Sequence, residues 1–193
     1  GGSLPLRVGR EYQLMVRVNV PTLMWVEVGG RCFYDDTNGI LRSDTAVHRM
    51  TVPAELLDRE REYTVCLRVV NERKPYFSLT GEIERFRFDF CPVADEGRIR
   101  AFHIADAHGM SEPVKASAER FIAEFGGMDL LIFNGDVLNH SGSLRNFDII
   151  YDLSSALTGG SLPVVVSRGN HDLRGICAER IADYTPGDGG RSY

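Results

Sequence analysis

The hydrophobic period of this chain changes near residue 91, and that change limits the folds open to it. Before it, apolar residues recur every second position. Leu14, Val16, Val18 and Val20 alternate with more polar neighbours, the period of a strand with one buried face. Runs over 23–28 and 31–34 flank Gly29-Gly30, a two-residue hairpin signal. Further strands are expected over 46–52, 62–70 and 84–90, with turn-forming residues between them at 35–39, Pro53, Asn71 and Pro75. This spacing predicts a small antiparallel β-sandwich. After residue 97, apolar runs at 99–105, 129–133 and 163–167 alternate with helical patterns at 112–125 and 146–157. Strand and helix in alternation predict a parallel sheet with helical crossovers. In the first helix Val114, Ala118, Phe121, Ile122 and Phe125 share a face, with Ser111 as N-cap and Gly126-Gly127 as the stop. The expected domains are 1–94 and 95–193, with the boundary between Pro92 and Gly97.

Composition supports a packed globular chain. Of 193 residues, 43% are hydrophobic and 25% charged, enough for a core and against disorder. A net charge of -5 argues against a protein that holds nucleic acid through phosphate contacts, and no such surface is evident. The four cysteines are scattered and form no C-x-x-C pair. They read as free small residues, because a chain of this length needs no disulfides to hold a core. No apolar run reaches the length of a membrane span, so no membrane partner is expected. Gly1-Gly2-Ser3 has the composition of an added linker. With no signal peptide and no disulfide pattern in view, a cytoplasmic location is favoured.

Three short segments carry the chemistry, and each follows one of the expected parallel strands. They are Asp106-Ala107-His108-Gly109, Asn134-Gly135-Asp136 and Gly169-Asn170-His171-Asp172. Open α/β sheets bind ligands just beyond the carboxyl ends of their strands. The fold alone would therefore gather Asp106, His108, Asp136, Asn170 and His171 along one edge, with ligand atoms about 4–6 Å apart. Carboxylate, imidazole and amide oxygen suit divalent metals of intermediate hardness, and the lack of cysteine speaks against a structural zinc site. Taken singly, Asp-x-His and Gly-Asp are common turn sequences, whereas Gly-Asn-His-Asp is rare. Their order, each after a buried strand, carries the reading. Outside the motifs, His48 falls in the sandwich, His103 reads as a packed strand residue, His140 as a solvated loop residue, and Trp25 as core. Arg174 lies close enough to the third motif to be weighed as a phosphate contact, against an ordinary surface arginine.

These motifs resemble those of the calcineurin-like metallophosphoesterases, whose pattern is Asp-x-His, then Gly-Asp, then Gly-Asn-His-Asp/Glu. The resemblance implies an α/β metallophosphoesterase domain of which residues 97–193 are the first half, a βαβαβ half of an α/β/β/α sandwich. It implies two divalent or mixed-valence ions (Mn, Fe or Zn), with Asp106 and His108 on the first, Asp136 bridging, and Asn170 on the second. His171 would stabilise the transition state or protonate the leaving group, with Asp172 orienting it. The expected reaction is hydrolysis of a small phosphate ester, monoesters favoured, by hydroxide held on the metals. A phosphodiesterase or nuclease is the alternative within the class. A non-catalytic binding module is the alternative outside it.

The N-terminal half is similar, more weakly, to the fibronectin-III-like domain that precedes the catalytic domain in purple acid phosphatases. Two positions depart from that group. Asn139 stands where the purple enzymes have a tyrosine, and His108 stands where they lack a histidine, so the expected site is calcineurin-like. The family pattern continues past a loop like 184–193 with further metal-binding histidines. The chain is therefore expected to be cut within the catalytic domain, to be a poor catalyst as given, and to have its open sheet edge covered by something else.

Overall fold

A computed structural model describes residues 3–93 and 97–185. The expected boundary at 94–95 and the loop beyond Thr185 fall outside the described residues. In chain order the strands of the first half are β1 (Ser3–Val8), β2 (Glu11–Arg17), β3 (Thr22–Val28), β4 (Arg31–Tyr34), the short β5 (Asp36–Thr37) and β6 (Ile40–Leu41), and β7 (Val47–Pro53). Helix α1 (Ala54–Glu60) follows, then β8 (Glu62–Arg73), β9 (Ser78–Thr80) and β10 (Glu84–Asp89). The second half runs β11 (Ala101–Ile104), α2 (Ser111–Phe125), β12 (Leu130–Asn134), a 3₁₀ turn over Leu144–Phe147, α3 (Asp148–Thr158), β13 (Val164–Ser167) and α4 (Ile181–Tyr184). Among the described residues no helix is long and apolar enough to cross a membrane.

The first half forms two facing sheets. Strands β10-β8-β3-β4 make one, and β1-β2-β7 lie in the other. Between them Tyr12, Leu14, Val26, Met50, Val52 and Val65 form a core of their own. The Gly29-Gly30 turn joins β3 to β4 as the sequence implies, with φ of 53° and 77°, the handedness that matches strand twist. Trp25 lies elsewhere than expected. It stands half-buried on the outer face of β3, where its Nε1 donates to Glu27 Oε1 (3.1 Å).

The second half supplies the expected βαβαβ unit, with β11, β12 and β13 parallel. Helix α2 ends at Gly126 (φ 73°) and α3 at Gly159 (φ 60°), both left-handed caps that glycine adopts without a Cβ clash. Two details of α2 differ from expectation. Ser111 is its first helical residue instead of its cap, and Ile122 and Phe125 are exposed while Ala118 is buried.

The two halves do not keep separate sheets. Strand β1 pairs in parallel with β13 through Leu6 opposite Val164, giving one six-stranded sheet in the order β11-β12-β13-β1-β2-β7. Strand β13 is thus paired on both edges, with β12 on one side and β1 on the other. Strand β2 consequently buries both faces. Tyr12, Leu14 and Val16 point into the sandwich, and Met15 joins Leu4, Leu6 and Val47 in a second core with Phe133, Phe147, Leu153 and Val164. Its burial is therefore continuous over 12–16, where alternation had implied one wet face. Helices α2 and α3 cover one side of the six-stranded sheet. On the other side the sandwich covers β1, β2 and β7, while β11 to β13 present a row of His103, Ile132 and Val165. His103 is exposed there and not packed.

Candidate metal centre

All three motifs stand at the carboxyl ends of β11, β12 and β13, and the backbone knits them together. Asp106 N donates to Gly135 O (3.2 Å), His108 N to Asp136 O (2.9 Å), and Gly109 N to Val137 O (2.9 Å). The fit is tight enough to exclude side chains. A Cβ on Gly169 would lie 2.2 Å from Asp136 Oδ1, and one on Gly135 would lie 3.0 Å from Gly169 Cα.

Backbone strain collects at the same place. Asp106, His108 and Asp136 have φ of 53°, 45° and 51°. A non-glycine residue in this region costs energy and persists only where its surroundings fix it. Asp172 supplies much of that fixing. Its carboxylate is buried and accepts the backbone N–H groups of Asp136 (2.8 Å), Leu138 (2.9 Å) and Gly169 (2.8 Å), tying the second motif to the third.

The ligand-type atoms of His108, Asp136 and His171 all lie within 4.8 Å of one another. His108 Nε2 is 3.5 Å from Asp106 Oδ1, and the His108 and His171 rings meet edge to face at 4.5 Å. Asp136 Oδ1 accepts from His171 N (2.6 Å). The side-chain amide of Asn170 lies between Asp136 Oδ2, at 3.2 Å, and Arg174 Nη2, at 2.8 Å. Turned one way, it donates to the carboxylate and accepts from the arginine. Turned the other way, its oxygen faces the carboxylate oxygen, a contact that a cation between them makes favourable. His108 Nδ1 is buried without a hydrogen-bond partner among the described residues. This donor set and geometry fit divalent ions.

The orientation of His171 differs from expectation. Its Nδ1 meets the carbonyl of Asn139 (2.8 Å), and Arg174 Nη1 lies 3.3 Å from its Nε2. Asp172, expected to orient this ring, spends its oxygens on backbone donors instead. Sequence reasoning missed Asn139 in this role because the contact is made by its carbonyl, which every residue type carries. His140 is exposed, as expected for a loop residue, and its Nδ1 accepts from Gly142 N (3.1 Å).

Comparison with known proteins agrees with this geometry. Residues 99–191 match the family model described as calcineurin-like phosphoesterase. The structure is similar to that of a purple acid phosphatase, PPD1, from yellow lupin (Lupinus luteus) seeds. The TM-score is 0.59 at 12% identity, over 97% of this chain and 40% of that one. At that identity the likeness is one of fold. The chain thus spans less than half the length of the structure it matches. No curated protein matches it. In motif order, strand-end geometry and family model, residues 99–191 thus match the calcineurin-like phosphoesterases.

Proposed function

We propose that the complete protein hydrolyses phosphate esters, monoesters first, at a centre of two metal ions. The observation that carries this reading is the meeting of His108, Asp136 and His171 within 4.8 Å at the ends of three parallel strands. Asp106, His108 and Asp136 would hold one ion, and Asp136 and Asn170 the other, with manganese, iron or zinc suited to such donors. Bound there, the ions would neutralise phosphoryl charge and activate the attacking water.

The chain's own groups do the rest. Asn139 O fixes the His171 ring through Nδ1, so Nε2 is the atom that exchanges a proton or hydrogen bond with the reacting group. Arg174 lies against that nitrogen. An incoming phosphoryl oxygen is a stronger acceptor for the guanidinium and would draw it off, opening Nε2 toward the leaving alkoxide. A second reading makes His171 a metal ligand, and its place in the 4.8 Å cluster favours it.

We also read the N-terminal half as fibronectin-III-like, supported by three strands, β1-β2-β7, facing four, β10-β8-β3-β4. Under the first reading, the described residues offer the second ion only Asp136 and Asn170. Alone, this chain should therefore bind it weakly and turn over slowly.

The test measures metal content and hydrolysis of an aryl phosphate and an aryl phosphodiester, in this chain and in the complete protein. Asp136→Asn should lower metal content and rate together, with affinity reduced by at least the ~10–100-fold that even outer partners of a metal cost. Unchanged metal content and rate would overturn the assignment. A faster diester than monoester would move the activity to phosphodiesters.

A further inference from the structure

A cleft of about 590 Å³ opens beside the metal centre, and its near wall is made of Gly109, Asn139 and His140. Gly109 follows His108 directly, and Asn139 is the residue whose carbonyl holds His171. An ester whose phosphorus lies among His108, Asp136 and His171 would therefore send its alcohol portion into this cleft.

The far wall is polar and charge-balanced. Lys115 and Arg145 bring two cations, and Asp148 and Asp152 bring two carboxylates. Lys115 is paired with Glu112 (2.9 Å) and Asp148 with Arg17 (2.7 Å). Among the described residues, Arg145 and Asp152 have no ion-pair partner, and both side chains are exposed. Asn146 also lines the cleft, with its amide donating to His140 O (2.8 Å). A second anionic group on the substrate would gain Arg145 but face the repulsion of Asp148 and Asp152, and a cationic group would gain the carboxylates but face that of Arg145, so neither sign is favoured outright. A greasy group would desolvate all of them. Hydroxyl groups suit the wall, since each can donate to a carboxylate and accept from a guanidinium or amide.

Resting on the phosphoesterase reading above, we infer that the natural substrate is the phosphate ester of a neutral, polyhydroxylated alcohol, held by Arg145 and Asp152. The alcohol's hydroxyls donate to Asp152 and accept from Arg145, while the phosphoryl group stays at the metal centre.

The experiment is calorimetric binding to the manganese-loaded protein, with hydrolysis followed in parallel, of three esters. Sorbitol phosphate and hexyl phosphate share a carbon skeleton and differ in hydroxyls, and phosphoglycolate carries a second anion. Sorbitol phosphate should bind about tenfold tighter than either of the others, the scale of one or two well-made hydrogen bonds. The variants Asp152→Ala and Arg145→Ala should bring the sorbitol-to-hexyl ratio close to one. Damage that is merely structural would weaken both esters in step and leave the ratio where it was, which would count against the inference. Equal or tighter binding of hexyl phosphate or phosphoglycolate by the unaltered protein would overturn it and leave the phosphoesterase reading standing. Failure of all three esters to bind or react would overturn both.

Discussion

Asp172 shows how much of this centre depends on residues that need not touch a substrate. Its two oxygens hold three backbone donors from two loops, and those loops keep Asp136 in a left-handed conformation. Gly169 is the counterpart in space, because nothing larger than hydrogen fits against Asp136 there. Gly169→Ala should therefore cost about 1–3 kcal/mol, as other forced insertions into packed sites do, and should lower metal content as well. Thermal unfolding and metal analysis on the same sample would check both. His171→Ala separates the two readings of that residue. A group that handles a proton should cost ~10²–10⁴ in rate with metal content kept, whereas loss of metal would make it a ligand. The residue types of the centre were legible in the sequence because the three motifs occur in order after apolar runs. The partner of His171 was not legible. Adjacency suggested Asp172, but its buried carboxylate is held on three backbone amides, and the ring meets the Asn139 carbonyl instead.

At the scale of elements, the ends of β11 and β12 opposite the metal centre are fastened by Arg100. Its backbone N–H and Nε donate to Asp129 Oδ2 (2.8 and 3.0 Å), Nη2 to Oδ1 (2.7 Å), and Nη1 to Gly126 O (3.0 Å) at the end of α2. The Arg100 side chain holds the Asp129 carboxyl below the ordinary carboxylate value, with the Arg100 backbone N–H adding to it. A carboxyl lowered on folding stabilises the fold at every pH above its unfolded value. It loses that contribution as pH falls through the folded value. Asp129→Asn should therefore unfold at lower denaturant than the unaltered protein at pH about 7, and the gap should shrink as pH falls below about 4, the unfolded aspartate value, and through the lowered folded one. A gap that stays constant would mean the pair contributes through shape and not charge. A thiol elsewhere is set by its element in the opposite sense. Cys66 in β8 is pushed up to about 11, by burial first and then by Glu27, so it should resist alkylation at neutral pH. Helices and parallel strands were legible because their periods are local. Strand β1 was not, since Leu4-Pro5-Leu6 is short and carries a proline, which cannot donate to a ladder.

Across the whole molecule, the two halves are bolted by side chains at several points. Arg17 in β2 pairs with Asp148 at the start of α3 (2.7 Å), and Tyr63 OH donates to Gly160 O (2.7 Å). Arg49 Nη2 in β7 donates to Ala182 O (3.0 Å) and Thr185 O (2.8 Å). Burial lowers the pKa of this arginine. Arg49→Met keeps the bulk and removes the donors, and should cost about 1–3 kcal/mol, the penalty of leaving the acceptor of the buried Thr185 without this donor. Denaturant titration would measure it, and an unchanged midpoint would show the α4 end to be held by packing alone. The joined sheet itself left no mark in the sequence, because a pairing between residues 6 and 164 has no short-range signature. It also sets a schedule. Long-range parallel contacts form late, after the entropy of closing a long loop has been met. During synthesis β1 and β2 can pair early, but Leu6 must remain without its second neighbour until Val164 has emerged. Premature release of the nascent chain would expose that apolar strand flank, so this protein should lean on chaperones most while its second half is being made.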